Sequence, residues 1–279
     1  MSALSLWPYE YPSAHETVSA IIRRHSSNSG DVRETALRDL DLSCAKNILD
    51  LGCGFGFLAE VLARRVAPDA RFVGVDAWQT NEAPFLEKIT AAGRLASFEC
   101  MRIDSELPWP DGSFDVVVCS YSLYFFVEIV PEVARVLAPH GLFLTIAHSE
   151  NAAAGQLPEV GFAEAASRLL SLIRKFSAEN GDDILGRWFD DVARVDYHNS
   201  LRFEPEHVDE LLSYLRFKLP FLVPDSKSGT DLPASLERFA RNLLEEQGEV
   251  IIQKNDAAFQ CRRPRRMMNS ELRIPNCER

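Results

Sequence analysis

An alternation of short apolar runs with helix-like segments, beginning at Asn47, is the feature that most constrains the fold. The run at 114–119 is almost wholly apolar, as expected for a strand covered on both faces. Further strands are predicted at 48–51, 72–75, within 96–103 and at 142–147, with helices between them at 57–65 and 130–137. Strands that alternate with helices predict an α/β fold: a doubly wound, mostly parallel sheet with helices on both faces.

The segments on either side of this alternation are more helical. Residues 15–24 carry apolar side chains at helical spacing, which predicts an N-terminal helix. After the alternation, the pattern predicts helices at 162–176, 208–217 and 236–247, and strands at 192–203 and 250–261. The sequence therefore predicts an N-terminal helical lid segment (1–46), one main domain (47–262) with a helical insertion at about 151–190, and a C-terminal tail (263–279).

Composition narrows the class of function. The formal net charge of -11 gives a surface that repels phosphate backbones, so a nucleic-acid partner is disfavoured despite a local R-R-P-R-R at 262–266. The six cysteines form no C-x-x-C pair, which argues against a disulfide framework or a structural zinc site. The sequence has neither an apolar run of membrane-span length nor a signal pattern, and we expect a cytoplasmic protein without a membrane partner.

Three glycines at every second position follow the first predicted strand, in D-L-G-C-G-F-G at 50–56. A glycine weakens any helix or strand, so this density indicates a ligand lying against the backbone. The dinucleotide fingerprint G-x-G-x-x-G/A fits Gly52 and Gly54 but places Phe57 where a small residue is needed. The acid-x-Gly-x-Gly-x-Gly motif of class I S-adenosylmethionine-dependent methyltransferases fits from Asp50 to Gly56, and residues 47–150 resemble that family.

The resemblance implies a seven-stranded sheet whose last strand is antiparallel, and S-adenosylmethionine as cofactor with S-adenosylhomocysteine as product. It places Asp50 near the ammonium group of the cofactor, while the glycines let the backbone approach its methionyl part and ribose. Asp76, ending the second strand, accepts hydrogen bonds from the ribose hydroxyls, and Asp104 faces the adenine amino group. The remaining cofactor positions fall on Cys53, Ala77, Ser105 and Cys119.

The methyl acceptor is narrowed mainly by exclusion. The segment C-S-Y-S-L-Y at 119–124 lacks the Pro-Pro-aromatic motif of enzymes that methylate exocyclic amines of nucleic-acid bases. It also lacks a Pro-Cys nucleophile and the carboxylates of metal-dependent catechol-type enzymes. We therefore expect a metal-independent enzyme that methylates a small molecule on oxygen, nitrogen or carbon by in-line displacement.

Several side chains near the predicted strand ends are candidates for the acceptor site. His148 is the first choice for a general base, because an imidazole titrates near neutral pH; a purely structural strand-end histidine is the alternative interpretation. Tyr121 and Tyr124 follow the fourth strand and are the other predicted catalytic residues. The full set of candidates is Tyr9, Tyr11, His15, Tyr121, Tyr124, His148 and Glu150.

Other functions stay open from the sequence. A methyltransferase acting on RNA or protein would call for a basic face, which only 262–266 offers. A non-catalytic S-adenosylmethionine-binding scaffold would be favoured by loss of Asp76 or the glycines, and all are intact. A nicotinamide dehydrogenase is disfavoured by Phe57, and assembly as a homodimer is an open option.

Overall fold

A computed structural model describes residues 12–151, 163–222 and 234–265. Five strands and the helices between them form the first part of the fold: α1 (Pro12–His25), α2 (Val32–Ala36), β1 (Asn47–Leu51), α3 (Ala59–Leu62), β2 (Arg71–Asp76), α4 (Glu82–Ala91), β3 (Leu95–Cys100), β4 (Phe114–Ser120), α5 (Val130–Val136) and β5 (Leu137–His148). The second part contains α6 (Ala163–Ile173), α7 (Gly181–Leu185), β6 (Phe189–Tyr197), β7 (Ser200–Phe203), α8 (Val208–Leu222), α9 (Ala234–Gln247), β8 (Val250–Gln253) and β9 (Asp256–Pro264).

The main sheet has seven strands in the order β3-β2-β1-β4-β5-β9-β6. The pairs from β3 to β5 are all parallel, whereas β9 runs antiparallel to both β5 and β6. The order reverses between β1 and β4, and in such sheets the crevice beyond the carboxyl ends of the strands at this point holds the ligand. The predicted doubly wound sheet with an antiparallel last strand is confirmed.

The last strand regions differ from the prediction, which had a strand region at 192–203 and a last strand at 250–261. Each is broken, so that β7 and β8 leave the main sheet and pair antiparallel with each other in a small second sheet. At the break, the Lys254 amide donates to the Asn199 carbonyl (2.9 Å) and the Asn199 amide donates to Asn255 Oδ1 (3.0 Å). A side chain therefore replaces a backbone acceptor, and the regular ladder cannot continue.

Buried apolar side chains lie on both faces of the main sheet. Val117 and Phe259 belong to the cluster on one face, and Phe72 and Phe85 to the cluster on the other. A third cluster joins α1 to the small sheet and to α8 and α9, with Phe203 fully buried in it. Burial of such side chains, at roughly 1.5–3 kcal/mol each, fixes α1 against the second sheet.

The helix after the glycine motif is shorter than predicted. The pattern at 57–65 indicated a helix of two turns, but α3 covers only Ala59–Leu62. Turn geometry takes up the flanking residues, because the loop has three glycines with positive φ immediately before it. Among the helices of the described ranges, none combines the length and apolar character needed to cross a membrane.

Candidate cofactor and acceptor site

A cavity of about 690 Å³ lies beyond the carboxyl ends of the central strands. One end is lined by the loop after β1 and the end of β2, and the other by residues that follow β4, end β5 and begin β9. Residues of α1, including His15 and Arg23, line it as well. Its volume falls within the range of about 300–1,000 Å³ that is usual for small-molecule sites.

The glycine loop forms the first end of this cavity, and its glycines differ in surroundings. Gly52 has φ of +64°, and a Cβ there would lie 2.5 Å from Ser122 Oγ, so this position is closed by packing. Gly54 has φ of +49°, but a Cβ there would have nothing within 4 Å. The backbone at Gly54 therefore borders open space, a cradle that any side chain would partly fill.

Asp76 fastens this loop to β2. Its Oδ2 accepts from the Gly54 amide (2.9 Å), and its Oδ1 accepts from the Trp78 amide (2.9 Å) and from Asn81 Nδ2 (3.1 Å). Burial raises the pKa of Asp76, although the Trp78 and Gly54 amides oppose that shift. Because a carboxylate oxygen has more than one lone pair, Oδ2 keeps acceptor capacity for a ligand hydroxyl.

Asp50 is the most unusual group at this end. It is 2% exposed, and no hydrogen bond to its carboxyl from the described residues is found. Burial, followed by the negative charge of Asp76, raises its pKa to about 8. An unpaired buried carboxyl is costly, and a cationic ligand group nearby would relieve that cost.

The other predicted cofactor residues divide into two groups. Cys53 and Ala77 line the cavity, as do Met101, Arg102 and Ile103 after β3. Cys119 is fully buried beneath it, with its Sγ 3.1 Å from Ser122 Oγ, and burial raises the pKa of its thiol to about 12. Four further predicted cofactor residues are not among the described residues that line the cavity: Asp50, Gly56, Asp104 and Ser105.

Asp256, the first residue of β9, organises the second end of the cavity. Its side chain is 1% exposed, and its Oδ1 lies 2.8 Å from His148 Nδ1. Its Oδ2 accepts from the Tyr121 hydroxyl (2.9 Å) and from Lys254 Nζ (2.6 Å). Burial alone would raise the pKa of Asp256, but the charge of Lys254 and the contact with His148 lower it to about 2.

Tyr121 is held in an uncommon backbone conformation at the end of β4. Its φ is +57°, which a non-glycine residue adopts only when its surroundings enforce it. The ring stacks on that of His148, with centroids 4.5 Å apart. Burial, reinforced by the charge of Asp256, raises the pKa of Tyr121 well above its ordinary value, so the hydroxyl stays protonated and donates to Asp256.

The remaining acceptor candidates are placed as follows. Tyr124 and His15 line the cavity, and the Tyr124 and His148 ring centroids are 6.5 Å apart. Glu150 is not among the described lining residues, and its Oε2 instead accepts from Arg174 Nε (2.7 Å). Tyr9 and Tyr11 lie outside the described residues.

Sequence reasoning missed Lys254 and Asp256, which line the second end of the cavity. They stand in I-I-Q-K-N-D-A-A-F, where a polar stretch with two opposite charges separates two apolar runs. Charged residues are rarely buried unless they are paired, so this interruption was the available signal. Their partners Tyr121 and His148 lie more than 100 residues earlier, at separations of 135 and 108 for the contacts with Asp256.

Comparisons with known sequences agree with this architecture. A family described as "Methyltransferase domain" matches residues 49–145. The protein YcgJ of Bacillus subtilis strain 168, named an uncharacterized methyltransferase, is 34% identical over 108 residues, covering 36% of this chain and 40% of that protein. Ubiquinone biosynthesis O-methyltransferase of Neisseria meningitidis serogroup A is 34% identical over 103 residues, covering 36% and 42%. The chain thus spans less than half the length of these two relatives.

Solved structures show the same fold. The crystal structure of YcgJ superposes with a TM-score of 0.51 at 19% identity, over 89% of this chain and 99% of that one. The [4+2]-cyclase SpnF superposes with a TM-score of 0.50 at 16% identity, over 90% and 94%. Together, the sheet order and the glycine loop define the class I methyltransferase architecture. The match to a methyltransferase domain over residues 49–145, the methyltransferase relatives and this fold agree with the predicted family, enzyme class and cofactor.

Proposed function

We propose that this protein transfers a methyl group from S-adenosylmethionine to a small-molecule acceptor bound in the same cavity. One observation carries the proposal: a single cavity is lined both by Gly54 and Asp76 and by Tyr121 and His148. A methyl transfer needs donor and acceptor side by side with water excluded, and a shared cavity meets that need.

The first end of the cavity suits the cofactor. The open space beside Gly54 would take the methionyl part and ribose, and Asp76 Oδ2 would accept from a ribose hydroxyl. The carboxyl of Asp50, buried without a hydrogen bond from the described residues, would gain stability from the nearby ammonium group. The cofactor supplies an activated methyl group, and these residues bind and orient it.

The second end suits an acceptor that gives up a proton. His148 lies in the lining with its Nδ1 fixed by Asp256, so it would act on an acceptor through Nε2. Tyr121 keeps the imidazole in place by stacking and would serve as a positioning residue. Tyr124 would contribute to the wall beside the acceptor.

The small-molecule acceptor is also supported by the relatives, among them an O-methyltransferase of ubiquinone biosynthesis. The SpnF comparison is a reminder that this fold also carries other chemistry, so the site residues rather than the fold must support methyl transfer. The cytoplasmic location, the exclusion of nucleic acid, the homodimer option and the domain limits stay predictions.

Isothermal titration with S-adenosylmethionine and S-adenosylhomocysteine tests the proposal. We expect micromolar binding by the wild type and about 10- to 100-fold weaker binding by Asp76→Asn, since a charged hydrogen bond contributes about 1.5–3 kcal/mol. Asp69→Asn, in an exposed pair with Lys46, is the matched control and should bind like the wild type. A folded wild-type protein that binds neither ligand would contradict the proposal.

A further inference from the structure

We propose that Lys254 binds the acceptor oxygen as an anion while His148 takes its proton, which makes the acceptor a hydroxyl group on a flat aromatic ring. This inference rests on the proposed function and deepens it by naming the acceptor class. It depends on a buried ammonium group in the cavity lining, which the family resemblance did not indicate.

Lys254 is 7% exposed and lines the cavity. Its Nζ lies 2.6 Å from Asp256 Oδ2 and 5.0 Å from the centroid of the Tyr121 ring. An ammonium group has three N–H donors, and the hydrogen bond to Asp256 uses one of them. Within the described residues, no other hydrogen bond from Nζ is found, so donors remain for an acceptor oxygen.

Asp256 sets the charge balance of this group. Its carboxylate offsets the ammonium of Lys254, so the cluster has no net charge when His148 is neutral. A neutral hydroxyl acceptor would then enter without a charge penalty. After its proton moves to His148, the imidazolium and the oxygen anion offset each other, and both ends of the transfer stay paired.

The cluster distinguishes between acceptor chemistries. A carboxylate is already ionised at neutral pH and needs no base, so an Asp-held histidine would be superfluous for it. A cationic amine would find the Asp256 carboxylate already paired with Lys254 and would lie beside that ammonium group. A hydroxyl uses both groups, and an aromatic hydroxyl ionises far more readily than an aliphatic one.

The shape of the lining favours a ring. The rings of Phe57 and Tyr121 are tilted by 48° to each other with centroids 6.1 Å apart, and further aromatic side chains border the same cavity. These are Phe55, Trp78, Tyr124, Phe125, Phe126, Tyr197 and Phe217. Aromatic walls bind flat rings through stacking and edge contacts, which adds to their apolar burial.

The methyl transfer conserves atoms and charge. The acceptor O–H bond breaks and its proton goes to His148, and the oxygen forms a bond to the methyl carbon. The carbon–sulfur bond breaks, and its electron pair stays on sulfur. A sulfonium and a hydroxyl thus give a thioether, a methyl ether and one proton, which His148 later releases to water.

The test uses the full chain saturated with S-adenosylhomocysteine, and 4-nitrophenol as the probe, because its phenolate has a visible absorption band. We expect binding to lower the pKa of 4-nitrophenol, so that the bound probe ionises at a proton concentration at least tenfold higher than the free probe. Lys254→Met should abolish this shift, whereas Lys175→Met, which removes an exposed lysine, should keep it. The double variant Lys254→Met/Asp256→Asn removes both buried charges and should also lose the shift, which covers a folding failure of the single variant.

Proton release, measured as the buffer dependence of the binding enthalpy, tests His148. At a pH where the free probe is neutral, wild-type binding should release no net proton, since His148 holds it, whereas His148→Gln should release about one. 4-Nitrobenzoate serves as the carboxylate arm. Tight binding of 4-nitrobenzoate with no ionisation shift for 4-nitrophenol would overturn the hydroxyl assignment.

Titration of S-adenosylhomocysteine separates the two levels of the proposal. If the wild type binds it but holds 4-nitrophenol as the neutral phenol, or does not bind the probe, the assignment to Lys254 is overturned and the proposed function stands. If the folded wild type does not bind S-adenosylhomocysteine, the proposed function fails, and the inference that rests on it fails too.

Discussion

The two ends of the cavity each contain a buried aspartate, and the two behave in opposite ways. Burial, together with the negative charge of Asp76, raises the pKa of Asp50 to about 8. Asp256 is equally buried, yet Lys254 and His148 lower its pKa to about 2. Burial is common to both, so the partners decide the ionisation state.

The end of the cavity near Asp50 thus has an uncompensated acidic group, whereas at the end near Asp256 the charges of the side chains offset one another. The cofactor end contains two acids, and no cation within the described residues pairs with Asp50, so a positive ligand group would complete it. The acceptor end supplies its own cation and fixes its histidine in advance. Preorganised groups of this kind need little rearrangement during the reaction.

Removal of the balancing charge at the acceptor end should have the largest effect. We expect Asp256→Asn to lower the free energy of unfolding by about 3–5 kcal/mol, because Lys254 is left buried without a counter-charge. Denaturant unfolding at neutral pH measures this. Asp196→Asn, on the neighbouring strand and paired with the half-exposed Arg194, is the control and should change stability by about 0.5 kcal/mol or less.

The pH dependence of the free energy of unfolding tests the same ion pair. A folded-state pKa below the unfolded value means that Asp256 stabilises the protein above about pH 4, and that this contribution is lost as pH falls toward about 2. The Asp256→Asn protein should lack that part of the acid dependence. An unchanged acid profile would contradict the ion-pair description.

The opposite change is expected at the cofactor end. Asp50→Asn should stabilise the unliganded protein near pH 8 by a few kcal/mol, because it removes a carboxyl whose ionisation is opposed by burial. The same variant should weaken binding of S-adenosylmethionine by about tenfold or more, since a negative charge near the ammonium group is lost. Thermal melting with and without the ligand measures both.

The linkage between protonation and folding fixes how the effect of Asp50 on stability depends on pH. With the folded-state pKa raised to about 8, stability is highest below the unfolded pKa near 4 and decreases as pH rises through the folded value. The gain from Asp50→Asn should therefore shrink toward pH 4. A stabilisation that is equal at pH 4 and pH 8 would show that charge is not the cause.

Substitution of two of the three loop glycines should have a smaller and more selective effect. Gly54→Ala should cost about 1–2 kcal/mol for the left-handed backbone but should strongly reduce binding of S-adenosylhomocysteine, because its Cβ would enter the open cradle. Gly52→Ala carries the same backbone cost and also a clash with Ser122, so it should be the less stable of the two. Equal binding by Gly54→Ala and wild type would place the cofactor elsewhere.

Glu150→Gln should have the smallest effect. Its carboxylate is paired with the exposed Arg174 and accepts a hydrogen bond from Ser177 Oγ. Glu150 is not among the described residues that line the cavity. We expect a change of about 0.5 kcal/mol or less in stability and unaltered ionisation of bound 4-nitrophenol. A change in the probe's spectrum would extend the acceptor end to Glu150.

The two ends also differ in how far the sequence predicted them. Asp50 in β1, the glycines after it and Asp76 at the end of β2 lie close together in the sequence, so a local motif and an alternating pattern located the loop and its partner. Tyr121 and His148 were identified by their position after the predicted fourth and fifth strands. The residue that joins them, Asp256, was not.

The missed part has a physical cause. Contacts over 108 and 135 residues depend on β9 lying between β5 and β6, and on the ladder break at Asn199 and Lys254. Hydrophobic periodicity predicts strands but neither their neighbours nor interruptions made by one side-chain hydrogen bond. The prediction of two long strands was therefore wrong, and the buried charges at their break went unnoticed.

The position of β9 also has a consequence for how the protein is made. During synthesis strands β1 to β4 and the glycine loop emerge well before Asp256. An incomplete chain therefore holds the glycine cradle without the acceptor end. Until β9 inserts, β5 and β6 both have open edges that can pair with other chains. Strand β9, which joins β6 to the rest of the sheet, also carries Asp256 and begins just after Lys254 and Asn255, so completion of the fold and of the acceptor end coincide.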